Sequence, residues 1–461
     1  MDDRRERFMR ESDALTWRME ADPQLRSTIV SIAWLTDTPD WDRIVARLDR
    51  ATRLVPSFRM VVVEPPARLA TPRWAVATDF DLSWHLRRVD APAPHDPETV
   101  VELARTAAMT AFDPAHPLWE FTLVENLAGG RAALLMKVHH ALTDGVGGME
   151  LAPLLFDVEA RPAAEEDEPA EPRGEHVTSA GLVGQSVAHQ VGRLAGLVRH
   201  QAAVAPTAAF RASRHPVRTA GDVVATAASV ARTVAPVTRT LSPVMTGRGL
   251  GRHLDMLTVP LDELKAAASA AGGTVNDAFL AAVTGGLARY HARHGTTVDE
   301  LRVTLPISIR TEADPIGGNR ITLMRFTVPV GEGDPARRLR SVGARCQAVR
   351  RERSLPHTDA IAGALNVLPA GVVGEILKHV DFVASNVPAF PWPVHLAGAR
   401  VDGLFAWGPT IGAAFNVTLL SYDGTCCVGV TVDSAAVPDP DVLTACLGQG
   451  FDEVLSLAGR S

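Results

Sequence analysis

The feature that most limits how this chain can fold is a break in composition after Asp157. Glu159, Glu165, Glu166, Asp167, Glu168 and Glu171 stand among prolines and alanines. Such a mixture cannot bury enough apolar surface to order itself as a core, and it reads as a solvated linker. At 461 residues the chain also exceeds what one ordinary core holds, since domains run to roughly 100–200 residues each. Two α/β halves are therefore expected, over residues 1–158 and 253–461. Between them, 159–252 form the acidic linker and an Ala/Val-rich connector, in which Arg193, Arg199, Arg211, Arg214, Arg218, Arg232 and Arg239 meet only Asp222 as an opposing acid. Prolines 206, 216 and 236 predict two or three helices there.

The first half alternates as an α/β layout requires. Ser27–Leu35 reads as a strand, and Asp40–Leu54 as an amphipathic helix capped by Asp40, with Ile44, Val45, Leu48 and Leu54 at helical spacing. A helix is expected over Pro97–Ala111. Strands follow over Trp119–Glu125 and Ala132–His139, joined by a glycine turn, and then a helix from about Gly147 to Phe156. In the second half, strands are expected near Leu254–Val259, Arg302–Ser308, Ile321–Val328, Phe382–Ser385, Val401–Trp407, Ala414–Ser421 and Thr425–Val432. Helices are expected near Leu261–Ala271, Val275–His294 and Ala336–Glu352.

Composition excludes several function classes. A formal net charge of −7 offers no general attraction to nucleic acid. Cys346, Cys426, Cys427 and Cys446 form no C-x-x-C pair, which points to neither a disulfide scaffold nor a zinc site and suits a reducing cytoplasm. The charged start Met1-Asp-Asp-Arg-Arg-Glu-Arg7 is no signal peptide, and no apolar run is long enough to span a bilayer. There is no G-x-S-x-G elbow, no P-loop and no dinucleotide loop; Gly247-Arg-Gly-Leu-Gly251 lacks a preceding strand.

The chemistry concentrates in Lys137-Val-His139-His140-Ala-Leu-Thr-Asp144-Gly145. Two histidines end an otherwise apolar strand, where successive side chains point to opposite faces. The two rings therefore cannot share a site: one faces a cleft and the other its own domain. A metal would prefer ligands at i, i+2 on a strand, so no metal is expected. A cleft-facing imidazole titrates near neutrality and can take a proton from a hydroxyl. An Asp-Gly turn after two histidines is equally ordinary surface punctuation on these grounds alone.

His139-His140-Ala-Leu-Thr-Asp144-Gly145 matches the HHxxxDG motif of the acyl-CoA-dependent acyltransferase superfamily. Pro117-Leu-Trp-Glu120, Phe80-Asp-Leu82 with His85, Val275-Asn-Asp277, Pro306-Ile-Ser-Ile-Arg310, Gly318-Asn319, Ser385-Asn-Val-Pro388 and Asn416 follow in an order that resembles the bacterial wax ester synthase/diacylglycerol acyltransferase family. The N-terminal stretch around Asp13 departs from that family's usual pattern. The resemblance implies two chloramphenicol acetyltransferase-like domains, each a mixed sheet flanked by helices, joined by a helical connector. It implies transfer of an acyl group from acyl-CoA, as co-substrate and with no cofactor, to diacylglycerol or a fatty alcohol. His140 would be the general base, His139 a supporting residue, and Asp144 with Gly145 structural; by analogy Arg310 would pair with Asp144. Asn276 and Asn386, with Ser385 as a weaker choice, are the oxyanion donors to consider; Asn276-Asp277 equally suits a helix cap. Pro117–Glu120 reads better as strand-entrance packing than as a substrate contact. Two alternatives stay open: an acceptor such as a glycolipid or polyketide hydroxyl, and a non-catalytic lipid-binding relative. The arginine-bearing connector either packs on the two halves or touches an anionic membrane or lipid-droplet surface.

Overall fold

The computed structural model describes residues 7–160, 169–214, 222, 224–226, 228–231, 235–308, 321–352 and 354–460. The first part of the chain supplies α1 (Glu11–Met19), β1 (Thr28–Leu35), α2 (Trp41–Leu54), β2 (Met60–Val63), β3 (Arg73–Val76), α3 (Leu82–His85), β4 (Leu86–Asp90), α4 (Pro97–Met109), β5 (Trp119–Leu127), β6 (Arg131–His139) and α5 (Gly145–Leu151). The helix α6 (Ser179–Arg214) follows. The remainder supplies β7 (Arg252–Pro260), α7 (Leu261–Ala270), α8 (Val275–Arg293), β8 (Glu300–Ser308), β9 (Ile321–Pro329), α9 (Pro335–Arg350), α10 (Thr358–Asn366) and α11 (Ala370–Leu377). The chain closes with β10 (Phe382–Pro388), β11 (His395–Leu396), β12 (Ala399–Trp407), β13 (Phe415–Tyr422), β14 (Thr425–Asp433) and α12 (Pro440–Leu455). Local chemistry sets the helix starts. Asp40 accepts from the Arg43 amide at 3.2 Å, and Asp96 from the Thr99 amide at 3.0 Å, each satisfying an otherwise orphaned donor.

Two mixed six-stranded sheets result, ordered β11-β12-β1-β6-β5-β4 and β7-β14-β13-β10-β8-β9. The halves are thus not the contiguous segments 1–158 and 253–461. β11 and β12 come from late in the chain yet complete the first sheet, with Val30 opposite Trp407 and Ile32 opposite Phe405. The cause lies on β12, which from Gly403 to Trp407 is apolar on both faces and needs cover from two layers. Val401 and Leu404 enter the cluster containing Ile44 and Leu48 of α2. Phe405 and Trp407 enter the cluster containing Val100 and Ala104 of α4 with Leu254 and Cys427. The second sheet has its own core around α8, and a side chain at Gly450 of α12 would collide with the Ala282 carbonyl of α8.

The connector departs from its expected form. α6 is a single helix of 36 residues that passes Pro206 without ending. Alanines at 202, 203, 205, 208 and 209, the strongest helix formers, offset the proline there. Pro216 lies outside the described residues, and the chain is non-helical at Pro236. Within the acidic segment the exposed Glu171 pairs with the buried Arg59 at 2.5 Å. Glu165–Glu168 lie outside the described residues. The four cysteines are unbridged and buried. Cys426 and Cys427 alternate between two cores, and burial pushes their thiols up to about 12 and about 11. Among the described residues no helix is long and apolar enough to cross a membrane.

Candidate active site

β6 lies between β1 and β5, with His139 opposite Thr28. The ladder carries one residue past the strand: the His139 amide donates to the Leu118 carbonyl at 3.0 Å and the His140 amide to the Ser27 carbonyl at 2.9 Å. Both histidine backbones are therefore fixed, and alternation sends their rings to opposite faces.

The His139 ring is fully buried. Its Nδ1 accepts from the Ala141 amide at 3.0 Å, which leaves the proton on Nε2, 3.2 Å from Glu20 Oε2. Burial works to raise the Glu20 carboxyl, but the His139 hydrogen bond, the Ser27 amide and Arg26 hold it below the usual range. Glu20 had no sequence signal, because 119 residues separate the partners. This pair orients a ring that does not face the cavity.

His140 lines the wall of a cavity between the two sheets. Its Nδ1 is buried without a hydrogen-bond partner. Burial lowers the ring below the ordinary imidazole range, with Asp144 and the residue's own backbone opposing and His139 adding slightly to the fall. The ring is neutral at neutral pH, the form that can accept a proton.

Asp144 is buried and caps α5, its carboxylate accepting from the Gly147 amide at 2.7 Å. Gly145 opens that helix. Arg310, expected to pair with Asp144, lies outside the described residues, as do Gly318 and Asn319. Pro117–Glu120 is packing: Leu118 and Trp119 are fully buried, and Glu120 pairs with Lys137 at 3.2 Å and Arg87 at 2.7 Å. His85 is held beneath it, its Nδ1 2.7 Å from the Trp119 carbonyl.

The cavity encloses about 1480 Å³ of space between atoms, its open mouth included. Ile29, Met136 and Val138 of the first sheet, Leu48 of α2, Met149 of α5 and Val383 and Leu420 of the second sheet make it predominantly apolar. Of the three oxyanion candidates only Ser385 reaches it. Strand alternation puts Val383, Ser385 and Val387 on the cavity side of β10 and turns Asn386 away. Asn276 sits in the first turn of α8, apart from the lining residues; Thr274 and Asp277 form the capping box there. Two polar residues were missed as candidates. Asn416 and Thr418 of β13 line the cavity, Thr418 Oγ1 donating to Asn416 Oδ1 at 3.0 Å and Asn416 Nδ2 to the Pro409 carbonyl at 2.8 Å. Polar residues at i and i+2 in an otherwise apolar strand were the available signal.

A second cavity of about 870 Å³ by the same measure shares Gly408 and Pro409 with the first. Arg26, Arg252, Thr28 and Thr431 line it, and the two threonine hydroxyls are buried without a protein partner. Among the described residues, the His/carboxylate group close enough to hold an ion is His253–Asp255–Asp441, which lines neither cavity.

The sequence matches the family model of the wax ester synthase/diacylglycerol acyltransferase catalytic domain over residues 9–279, and that of the corresponding C-terminal domain over residues 317–454. A protein of Mycobacterium tuberculosis (strain H37Rv), provisionally named a diacylglycerol O-acyltransferase, is 37% identical over 450 residues, covering 97% of this chain and 91% of that protein. Among solved structures, the wax ester synthase/diacylglycerol acyltransferase of Marinobacter aquaeolei VT8 superposes with a TM-score of 0.65 at 19% identity, covering 98% of this chain and 100% of that one. A starter condensation domain of rhizomide synthetase, solved with C8-CoA and Leu-SNAC, superposes with a TM-score of 0.61 at 14% identity, covering 98% and 94%. These two likenesses show the fold.

Proposed function

Because the chain belongs to the wax ester synthase/diacylglycerol acyltransferase family, we propose that it moves a long-chain acyl group from acyl-CoA to diacylglycerol or a fatty alcohol, with His140 as the general base. The observation that carries this reading is a neutral imidazole set in the wall of a large apolar cavity. His140 Nε2 takes the proton of the acceptor hydroxyl as its oxygen attacks the thioester carbonyl. The same proton then goes to the departing CoA sulfur, so the base is regenerated. No acyl-enzyme is needed, because the thioester is already activated. The protein's own thiols lie in its cores with their pKa values pushed up, which leaves no thiolate to serve as a nucleophile. General-base help contributes about 10²–10⁴-fold, and holding both substrates in line contributes further.

The two cavities suggest separate approaches to His140. An acyl chain and a lipidic acceptor suit the apolar one. The smaller cavity suits the donor's polar arm, with Arg26 and Arg252 available to its phosphates. Ser385 and the second amide hydrogen of Asn416, whose Oδ1 is held by Thr418, are side-chain donors on the cavity wall for the tetrahedral oxyanion.

The test is thiol release from palmitoyl-CoA with hexadecanol, diolein, short alcohols or no acceptor, with product identification. Release only with hexadecanol or diolein, matched by ester formation, is expected. Release without any acceptor would make the protein a thioesterase. No release with any of them would favour another hydroxyl acceptor or a non-catalytic lipid-binding role.

A further inference from the structure

The helix α6 is held to the molecule by one face. Leu182, Ser186, His189 and Arg193 recur at helical spacing. Leu182 and Ser186 are buried, His189 stacks on Phe8 at 4.4 Å, and Arg193 pairs with Glu11. Gln190 Nε2 adds a bond to the Leu69 carbonyl at 3.1 Å. The face turned away carries Val183, Val187, Val191, Leu194 and Val198, which are 37, 51, 60, 62 and 68% exposed. Gly184, Ala188 and Ala195 flank that stripe. A solvated helix places charge on such a face. From Ser179 to Val198 the only Asp, Glu, Lys or Arg is Arg193, which is paired with Glu11.

A second apolar edge is tied to the same anchor. Glu11, which receives Arg193, also accepts from Asn366 Nδ2 at 2.9 Å. Immediately beyond Asn366 stand Val367, Leu368 and Val372, which are 83, 38 and 48% exposed.

Charge decides what covers these surfaces. From Ser179 to Arg214 there are four arginines and no Asp or Glu. Arg199 and Arg68, beside the two edges, are exposed; of the neighbouring acids Glu11 and Asp359 face Arg193 and Arg10, and Glu375 is an exposed acid on α11. Pairing two copies along α6 would set arginines against arginines. A layer of anionic headgroups accepts the valines and leucines at its acyl boundary and the guanidinium groups on its phosphates. We propose that α6 and the Val367–Val372 edge form the surface by which this protein sits on an anionic phospholipid bilayer. This interaction surface does not depend on the acyl-transfer reading.

The experiment is flotation of the full-length protein with vesicles of phosphatidylcholine alone or of phosphatidylcholine with phosphatidylglycerol. Binding to the phosphatidylglycerol vesicles is expected, weakened by high salt. The double variant Val187→Asp/Leu194→Asp should bind about tenfold more weakly or worse, with unchanged thermal melting, since both side chains are exposed. Arg199→Glu, which leaves the apolar stripe intact, should also weaken binding. The proposal is overturned if neither vesicle binds, if both bind equally, or if the variants float like the wild type. It is also overturned if the lipid-free protein self-associates and the double variant makes it monomeric, because the stripe would then belong to a second copy.

Discussion

At His140 the governing quantity is the free energy of placing a charge on a ring set in an apolar wall. Burial disfavours the imidazolium and lowers the pKa, against the pull of Asp144. A base must be neutral to act, so activity should rise with pH through that lowered value and then level off. The acid limb of kcat/KM should therefore fall below the ordinary imidazole value of about 6.5; a limb above it would mean that the base is another group or is solvated. Asp144→Asn should move the limb lower still, because it removes the carboxylate that raises the His140 pKa. A limb displaced upward would contradict this. That the two rings face opposite ways could be read from strand alternation alone, but not which of them meets the cavity. The Glu20 partner could not, since its contact depends on how the chain between residues 20 and 139 returns on itself. Asn276 was misplaced for a related reason: its local motif resembles a ligand site, but its helix starts away from the cavity.

At the scale of elements, the turn from β6 into α5 positions His140, and Asp144 caps that helix. Asp144→Ala should cost about 0.5–2 kcal/mol of local stability, seen as faster hydrogen exchange at the Gly147 amide that its carboxylate now accepts. Asp144→Asn, which keeps an acceptor, should leave that exchange nearly unchanged. Equal exchange in all three proteins would show that the turn is held by something else. Strand positions were legible because their apolar runs and turn residues are local signals, and observed ends such as Thr28–Leu35 and Arg131–His139 lie within a residue of those expected. α6 was less legible. A proline weighs heavily in a local reading, whereas the alanines around Pro206 carry the helix through it.

At the scale of the whole molecule, β12 makes the halves interdependent. Two domains were legible from the linker composition, but strand exchange was not, because a doubly apolar strand does not name its partner. Residues 253–461 expressed alone would leave Val401, Leu404, Phe405 and Trp407 without β1 and α2 to cover them. That fragment should aggregate or lack a cooperative transition, whereas a soluble, cooperatively unfolding fragment would contradict the exchange. The cavity holding His140 is built jointly by both sheets, so the proposed catalysis requires the intact chain. Its most direct test is acceptor-dependent CoA release by His140→Ala. With melting unchanged, kcat should fall about 10²–10⁴-fold while KM for palmitoyl-CoA stays close to that of the wild type. A folded His140→Ala protein that transfers acyl groups at the wild-type rate would contradict the assignment of His140 as the base.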